Sequence, residues 1–317
     1  MNDSGPVPKD SAAAKIPISL VLGSGGARGY AHIGVIEELI AQGFDIRSIA
    51  GSSMGALVGG VYAAGKLVAY RDWVLTLARF DVFKLLDITV SGGGFIKGNR
   101  IIGALREHVG EFNIEDLPIS YTAVAVDLDA HREVWFSQGS LFEAIRASIA
   151  IPTVFRPHRY RGRLLVDGGL LNPLPVSPTL RDHTQATIAV DVNAAAEPLH
   201  GIDSDESAGS GKNDDAGEGI VPRMRRMLGA APATDPASDP ARDPSVIDLF
   251  ARSLDTVQET ITRLKLAAQP PDLLITIPRN VCTFYDFHRA ESVIELGRQR
   301  TREALARWTP PGAGNRV

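Results

Sequence analysis

Cysteine is almost missing from this sequence of 317 residues, which contains only Cys282. A single cysteine excludes a disulfide within the chain and is typical of proteins in a reducing compartment. The seven histidines do not combine with cysteine at the spacings of a metal site. We therefore expect a cytoplasmic protein with no bound metal ion and no cofactor.

Long apolar runs and a strong charge of one sign are also absent. No segment approaches the roughly 18 uninterrupted apolar residues that a membrane-spanning helix needs. Residues 1–15 include Asp3 and Asp10, and they lack the basic start and apolar centre of a secretory signal. The formal net charge is −4, so the charge gives no reason to expect a nucleic acid partner.

The composition that remains is that of a folded domain, with 44% hydrophobic and 22% charged residues. A chain of this length can bury one large core. Apolar strand candidates alternate with segments of helical periodicity along the sequence. This alternation predicts an α/β fold, a three-layer α/β/α domain with a mostly parallel central sheet.

The first informative motif is Gly51-Ser52-Ser53-Met54-Gly55, a Gly-x-Ser-x-Gly pattern. Residues 46–50 before it have the character of a short strand, and residues 54–64 that of a helix of small residues. A serine on such a strand–turn–helix junction exposes its hydroxyl, and Gly51 and Gly55 allow the close packing that the turn requires. The motif predicts a nucleophilic serine, although a plain glycine turn whose serine caps the helix is also consistent with it.

A glycine-rich loop, Gly23–Gly29, follows a strand candidate at 17–22 and precedes a helical pattern at 30–40. A loop that opens a helix presents unpaired N–H groups at the positive end of the helix dipole. Such a loop suits an anion, including the oxyanion of a tetrahedral intermediate.

Two other kinds of binding loop are also rich in glycine. A phosphate-binding P-loop is excluded, because Tyr30 and Ala31 stand where Lys and Ser or Thr are needed. A dinucleotide-binding loop stays open as an alternative. Arg28 takes the place of its third glycine, but Asp45 lies about 20 residues on, where a ribose-binding acid belongs.

The third motif is an apolar strand candidate at 164–166 that ends in Asp167-Gly168-Gly169. Asp-Gly pairs commonly shape turns, so a structural role for Asp167 is one interpretation. A serine nucleophile needs a base, however, and an aspartate at a strand end beside a glycine turn can be held rigidly for that purpose.

In this order the three motifs resemble the patatin-like phospholipase family. Segments 147–155 and 172–176 resemble the family's flanking sequence, and the resemblance spans residues 16–192. It is nearest to bacterial proteins similar to the neuropathy-target-esterase catalytic domain. Many members have a glycine where this chain has Ser24, a difference that should leave the backbone donors intact.

The resemblance implies a serine acyl hydrolase that cleaves carboxylic esters of lipids, of the phospholipase or lysophospholipase type. On the family pattern, Ser53 is the nucleophile and Asp167 the general base of a Ser-Asp dyad that forms a covalent acyl-enzyme. The loop residues that the resemblance implies for the oxyanion hole are Gly25, Gly26, Ala27, Arg28 and Gly29. A lipid substrate also implies peripheral contact with a membrane, here at its inner face.

An aspartate with the ordinary pKa near ~3.9 is a weak base for a serine hydroxyl. Burial must therefore raise the pKa of Asp167, or its hydrogen-bond geometry must compensate.

Three other classes of protein remain as alternatives. A Ser-His-Asp α/β-hydrolase would add a histidine after Asp167 in the chain, such as His183 or His288. None of the histidines lies in a stretch that marks it as a base, and His32 suits a packed residue that helps to fix the glycine loop. The other two are a nucleotide-binding oxidoreductase and a catalytically silent lipid-binding or interaction protein.

The expected organisation is one domain with an insertion. Residues 1–15 form a flexible N-terminus, 16–193 the patatin-like catalytic core, 245–308 the C-terminal part of the same domain, and 309–317 a flexible tail. Residues 194–244 are acidic and rich in Gly, Ser and Asp-Pro pairs, a composition that predicts a disordered insertion. Within it, residues 220–228 alternate three arginines with apolar residues. This pattern suits a short helix that touches anionic lipid or closes over the site, but a plain patch of the insertion is the favoured interpretation.

Overall fold

The structure is a computed structural model that describes residues 15–77, 94–198 and 246–311. Its helices are α1 Ala31–Ala41, α2 Met54–Ala63, α3 Leu67–Thr76, α4 Asn99–Val109, α5 Leu141–Ser148, α6 Val246–Ala268 and α7 Ala290–Ala306. Its strands are β1 Ile16–Leu22, β2 Phe44–Ser52, β3 Gly94–Ile96, β4 Ser120–Asp127, β5 Arg132–Phe136, β6 Thr153–Phe155, β7 His158–Tyr160, β8 Arg163–Asp167, β9 Ala186–Ala194 and β10 Leu273–Pro278.

Eight of these strands form one sheet in the order β10-β9-β1-β2-β4-β8-β7, with β5 also paired to β4. The five strands from β10 to β4 are parallel to one another, whereas β5, β7 and β8 pair antiparallel. β3 and β6 form a separate pair. The prediction of a mostly parallel central sheet is therefore confirmed.

Helices cover both faces of the sheet. On β1 the alternate residues Leu20 and Leu22 belong to the main core, which includes α1, α2, α5 and α7. Val21 points to the opposite face, into a smaller apolar cluster against which Leu266 of α6 packs, as the two-residue period of a strand requires. These layers confirm the three-layer α/β/α prediction.

Several boundaries differ from the sequence-based expectation. A 3₁₀ turn, Gly26–Tyr30, forms the second half of the glycine loop and leads directly into α1. β9 continues to Ala194, and beyond it Glu197 forms an ion pair with Arg300 of α7 at 2.6 Å. The chain is thus described to residue 198, past the expected start of the insertion at 194. Residues 199–244, for which we predicted disorder, lie outside the described part of the chain, as do 1–14 and 312–317.

Within these described ranges, no helix combines the length and the apolar character needed to cross a membrane.

Candidate functional site

The three sequence motifs meet at the carboxyl end of the parallel strands. β1 and β2 run side by side with Leu22 opposite Gly51, so that the glycine loop and Ser53 emerge at the same edge. β8 runs antiparallel to β4 and places Asp167 opposite Ala125. The carboxyl edge of such a sheet is where open α/β proteins usually bind ligands.

Ser53 occupies a strained turn between β2 and α2, with φ of 56° and ψ of −123°. A residue with a Cβ rarely adopts this conformation, so its surroundings must hold it there. The Ser53 N–H donates to Ser148 Oγ at 2.9 Å, and Ser148 Oγ donates to the Val124 carbonyl oxygen at 2.6 Å. The Ser53 carbonyl accepts from the Leu57 N–H at 3.1 Å. Ser148 thus fixes the turn from behind.

Glycines at the turn allow backbones to touch. A methyl group at Gly55 would overlap the carbonyl oxygen of Leu22, and one at Gly168 would overlap the carbonyl oxygen of Val124. A methyl group at Gly51 would also overlap the backbone of Gly55. These contacts explain why the motif glycines surround the serine and the aspartate so closely.

Ser53 and Asp167 are hydrogen-bonded to each other. Ser53 Oγ donates to Asp167 Oδ2 at 2.6 Å, and the Gly169 N–H donates to Asp167 Oδ1 at 2.7 Å. The exposed fractions of the two residues are only 3% and 4%. Burial raises the pKa of Asp167 to about 7, while the hydrogen bonds from Ser53 and Gly169 act in the opposite direction. This is the direction that the burial argument predicts for a useful base.

The glycine loop presents two backbone donors. Among the described residues, no acceptor pairs with the N–H groups of Gly25 and Gly26. Ala27 is different, because its N–H donates to the carbonyl oxygen of Phe284 at 3.0 Å. The backbone donor of Ala27, which we predict for the oxyanion hole, is thus already engaged within the protein.

Arg28 and Gly29 support this loop from inside the protein. The Arg28 guanidinium is buried and donates to the carbonyl oxygens of Gly25 at 3.3 Å and Arg279 at 3.5 Å. Gly29 lies against the side chain of Met54, where it has no room for a methyl group. Arg28 therefore ties the loop to the C-terminal part of the chain.

Ser53, Asp167 and Gly25 line one cleft. Its walls are largely apolar, and the apolar residues include Ile151, Val154, Leu170, Leu254 and Phe284. Leu254 comes from α6, so the helix that follows residues 199–245 covers part of the site. Apolar walls around a few polar groups are typical of a small-molecule site.

The histidine alternatives find no support in this geometry. The described hydrogen-bond partners of Ser53 and Asp167 include no histidine. His183 precedes β9, at the amino edge of the sheet and away from Ser53. His32 is buried, and its Nε2 lies 2.8 Å from the Gly23 carbonyl oxygen. Since burial lowers its pKa to about 4, His32 is neutral, and Nε2 donates to the loop.

Asp45, the acidic residue that a dinucleotide-binding loop would use, lies in the wrong place for that role. Asp45 lies at the start of β2, opposite Pro17 of β1, and pairs with Arg47. A ribose-binding acid would have to lie at the other end of that strand. Among the residues described, no group of three or more His, Cys, Asp or Glu side chains could hold a metal ion.

Sequence reasoning missed two residues behind the site. One is Ser148, described above, and the other is Asn193, whose Nδ2 donates to the Ser24 carbonyl oxygen at 2.6 Å. Ser148 lies in segment 147–155, whose sequence carries no catalytic motif of its own. No sequence signal marked Asn193.

The comparisons of this sequence with known proteins agree with one another. A sequence model of the patatin-like phospholipase family matches residues 20–180. The uncharacterized NTE family protein Rv1063c of Mycobacterium tuberculosis is 41% identical over an alignment of 329 positions, which covers 91% of each chain. Rv2565, a second NTE family protein of this species, is 34% identical over 190 residues, 58% of this chain and 32% of its own. Neuropathy target esterase sws of Drosophila persimilis is 33% identical over 165 residues, 50% of this chain and 11% of its own.

Proposed function

The chain belongs to the patatin-like phospholipase family, and from this premise we propose that it is a serine acyl hydrolase that cleaves carboxylic esters of lipids through Ser53 and Asp167. Family membership supports a hydrolase of the lipid esterase or phospholipase type. The observation that carries the finer proposal is the 2.6 Å hydrogen bond from Ser53 Oγ to the buried carboxylate of Asp167.

In the first half of the reaction, Ser53 Oγ attacks the ester carbonyl carbon while Asp167 takes the hydroxyl proton. A base works best when its pKa lies near the working pH, and burial raises the pKa of Asp167 to about 7. The resulting oxyanion accepts from the N–H groups of Gly25 and Gly26, close to the positive end of the α2 dipole. As the intermediate collapses, the C–O bond to the alcohol breaks and Asp167 protonates the leaving oxygen.

In the second half, water releases the acyl group from Ser53. Asp167 takes a proton from the water as its oxygen adds to the acyl carbon, and the same N–H groups hold the second oxyanion. Collapse breaks the bond to Ser53 Oγ, which recovers the proton from Asp167. The products are an alcohol and a carboxylic acid, and the dyad returns to its starting state.

The lining of the cleft supports an acyl chain as the bound group. Ile151, Val154 and Leu170 offer apolar surface next to the reacting atoms. Burying each methylene of an acyl chain contributes about 0.8 kcal/mol. We therefore propose phospholipids or lysophospholipids as the substrate class.

We also propose that α6 contacts the lipid surface from which the substrate is taken. Leu249, Val257 and Leu264 have exposed fractions of 56%, 49% and 67%. At about 100° per residue these three lie within roughly 80° of arc on one side of the helix. Arg252 and Arg263 are exposed on the same helix, which suits an interfacial helix on anionic lipid.

The proposal is tested by labelling with a fluorophosphonate, a reagent that phosphonylates activated serines. We expect labelling of the wild type at Ser53 and its loss in Ser53→Ala and Asp167→Asn. Hydrolysis of a soluble short-chain ester should fall by about 10³-fold or more in both variants. Ser137→Ala, which removes an exposed hydroxyl away from the cleft, is the matched control and should label like the wild type.

Two outcomes would contradict the proposal. A folded wild type that is neither labelled nor active on esters would favour a catalytically silent lipid-binding protein. Loss of turnover in His183→Ala or His288→Ala as complete as in Asp167→Asn would favour a histidine-containing triad.

A further inference from the structure

Asn193 lies behind the loop that carries the free N–H groups of Gly25 and Gly26. It is the penultimate residue of β9, next to β1 in the sheet. Its Nδ2 donates to the Ser24 carbonyl oxygen at 2.6 Å, and its own N–H donates to Asp191 Oδ1 at 2.9 Å. The side chain of Val192 fills the space that a methyl group at Gly25 would need. The end of β9 thus contacts the back of the loop.

The bond from Asn193 determines where the Gly25 N–H points. In a trans peptide, the carbonyl of one residue and the N–H of the next point in opposite directions within one rigid plane. Fixing the Ser24 carbonyl oxygen therefore fixes the direction of the Gly25 N–H. Arg28 acts in the same way on the peptide between Gly25 and Gly26. Its Nε donates to the Gly25 carbonyl oxygen and so fixes the direction of the Gly26 N–H.

The two anchoring side chains lie on the far side of the loop from the dyad. Arg28 and Asn193 line a separate polar cavity with Asp191, whereas Gly25 lines the cleft that holds Ser53 and Asp167. Two successive carbonyls are thus drawn toward the polar cavity, and the two N–H groups that follow them point the other way. Successive backbone N–H groups oriented together form an anion-binding concavity.

The other half of the Asn193 amide is not satisfied. Its Oδ1 is buried and has no hydrogen-bond partner among the residues described. An unpaired buried oxygen destabilises a fold and calls for an explanation. A donor that is needed at the Ser24 carbonyl supplies that explanation, because no other side chain binds this oxygen in the described part of the chain.

We propose that Asn193 is a positioning residue of the oxyanion hole, which holds the Ser24 carbonyl oxygen so that the Gly25 N–H stays directed at the anion formed on the substrate. The proposal rests on the function proposed for Ser53 and Asp167. Asn193 does not touch the substrate, and its effect is confined to states in which the carbonyl oxygen carries charge.

Three substitutions separate positioning from packing. Asn193→Asp keeps the shape of the side chain and removes the donor, Asn193→Gln keeps a primary amide, and Asn193→Ala removes the side chain. Asn280→Ala is the matched control, since Asn280 Nδ2 also donates to a backbone carbonyl oxygen, that of Glu197 at 2.8 Å, but is exposed. Loss of a side chain–backbone bond as such would affect both positions.

The first readout is steady-state hydrolysis of a soluble short-chain ester. Removing one oxyanion donor costs about 10²–10³-fold in kcat, and a misdirected donor should cost less, about 10–100-fold, with KM within about threefold. We expect this loss in Asn193→Asp and Asn193→Ala, partial recovery in Asn193→Gln, and activity close to wild type in Asn280→Ala. Should Asn193→Ala fail to fold, the Asp and Gln variants give the answer on their own.

The second readout compares inhibitors. A trifluoromethyl ketone with an acyl chain forms an anionic tetrahedral adduct on the serine, whereas the corresponding alkane, which has no carbonyl, reports ground-state binding only. In Asn193→Asp the affinity for the ketone should fall in proportion to kcat/KM, and the affinity for the alkane should not change.

The outcomes distinguish this inference from the proposed function. An active wild type whose Asn193→Asp variant binds the ketone normally, or loses activity only through KM, overturns the role of Asn193 and leaves the Ser53–Asp167 proposal standing. Equal losses in Asn280→Ala and Asn193→Ala also overturn it. A folded wild type without esterase activity overturns the proposed function and this inference together.

Discussion

At the residue scale, the ionisation of Asp167 links the fold to the proposed chemistry. The carboxyl is buried, and its pKa is raised to about 7 from the ordinary value of 3.8. The unprotonated form is the base. We therefore expect kcat/KM for a soluble ester to rise with pH through an apparent pKa of about 7 and then to level off.

The pH profile of the wild type needs a control against histidine. His32 does not titrate near neutrality, since its pKa is lowered to about 4. His183→Ala and His288→Ala should keep the acidic limb of the profile where it is. A limb near the ordinary aspartate value of about 4, or one that moves in either histidine variant, would be inconsistent with Asp167 as the base.

The same raised pKa has a consequence for stability. The folded-state pKa of Asp167, about 7, lies above the unfolded value near 3.8, so the folded state favours the protonated carboxyl. The stabilisation that comes from the protonated Asp167 carboxyl is fully present below the unfolded-state pKa. It is lost as the pH rises through the folded-state pKa. Above about pH 7 the fold therefore contains a desolvated charge.

Asp167→Asn removes that charge, and we expect it to raise the free energy of unfolding at about pH 8 by roughly 2–4 kcal/mol. At about pH 4 the two proteins should be nearly equally stable. Thermal unfolding at both pH values measures this difference. An Asp167→Asn protein that is less stable than the wild type at the higher pH would mean that the ionised carboxylate stabilises the fold.

The sequence identified the residues that carry local signatures and missed those defined by distant contacts. Ser53 and Asp167 each stand in a short glycine-containing motif, which is visible without a structure. Ser148 is 95 residues from Ser53, and Asn193 is 169 residues from Ser24. Neither stands in a motif of its own, and their hydrogen bonds exist only once the strands are paired. The hydrogen bond from the Ala27 N–H to the Phe284 carbonyl oxygen could not be predicted for the same reason.

At the element scale, α6 exposes three large apolar side chains on one face, Leu249, Val257 and Leu264. The test is one variant that combines three substitutions, each of which places a charge on this face: Leu249→Glu, Val257→Glu and Leu264→Glu. We expect this variant to lose about tenfold or more of its activity on anionic phospholipid vesicles, because apolar burial and membrane binding scale together. Its kcat/KM on a soluble ester should stay within about twofold of the wild type, since none of the three residues lines the cleft.

The control for this variant is a charge change elsewhere on the surface. Leu180 has an exposed fraction of 56% and lies outside α6, so Leu180→Glu should leave activity on vesicles unchanged. An equal loss on vesicles and on the soluble ester would instead indicate damage to the cleft, where Leu254 of the same helix lies.

The elements that carried a clear period were predicted to within a few residues. β1, β2 and α2 follow from apolar strands and a helix of small residues that flank the glycine motifs. The short strands β6 and β7 have three residues each, too few to show a period. The 3₁₀ turn at Gly26–Tyr30 begins at a glycine with φ of 56°. Glycine permits this backbone conformation, but its presence in the sequence does not predict it.

At the scale of the whole molecule, the two ends of the described chain close on each other. β10 pairs with β9, and α7 packs along α1, which directly follows the glycine loop. A sequence read from one end to the other gives no strand order, because the neighbours β1 and β9 are separated by about half of the chain. The sheet order is therefore what the structure adds to a fold class that was already predictable.

Substitutions where α1 crosses α7 can test whether the two ends of the described chain are held together by this helix contact. Gly34 of α1 lies against the carbonyl oxygen of Ile294, and Gly297 of α7 lies against the carbonyl oxygen of Ala31, each without room for a methyl group. Overpacking of this kind typically costs about 1–3 kcal/mol. We expect Gly34→Ala and Gly297→Ala each to lower the free energy of unfolding by about that amount, measured by urea titration.

Gly103 provides the matched control, because it lies in α4 with nothing within 4 Å of the position that a methyl group would take. Replacing a helical glycine by alanine in open space stabilises a helix by about 0.5–1 kcal/mol, so Gly103→Ala should be slightly more stable than the wild type. The sign of the effect thus separates close helix contact from helix propensity. If Gly34→Ala and Gly297→Ala were as stable as Gly103→Ala, the two helices could not cross with their backbones in contact, and the closure of the chain would need a different explanation.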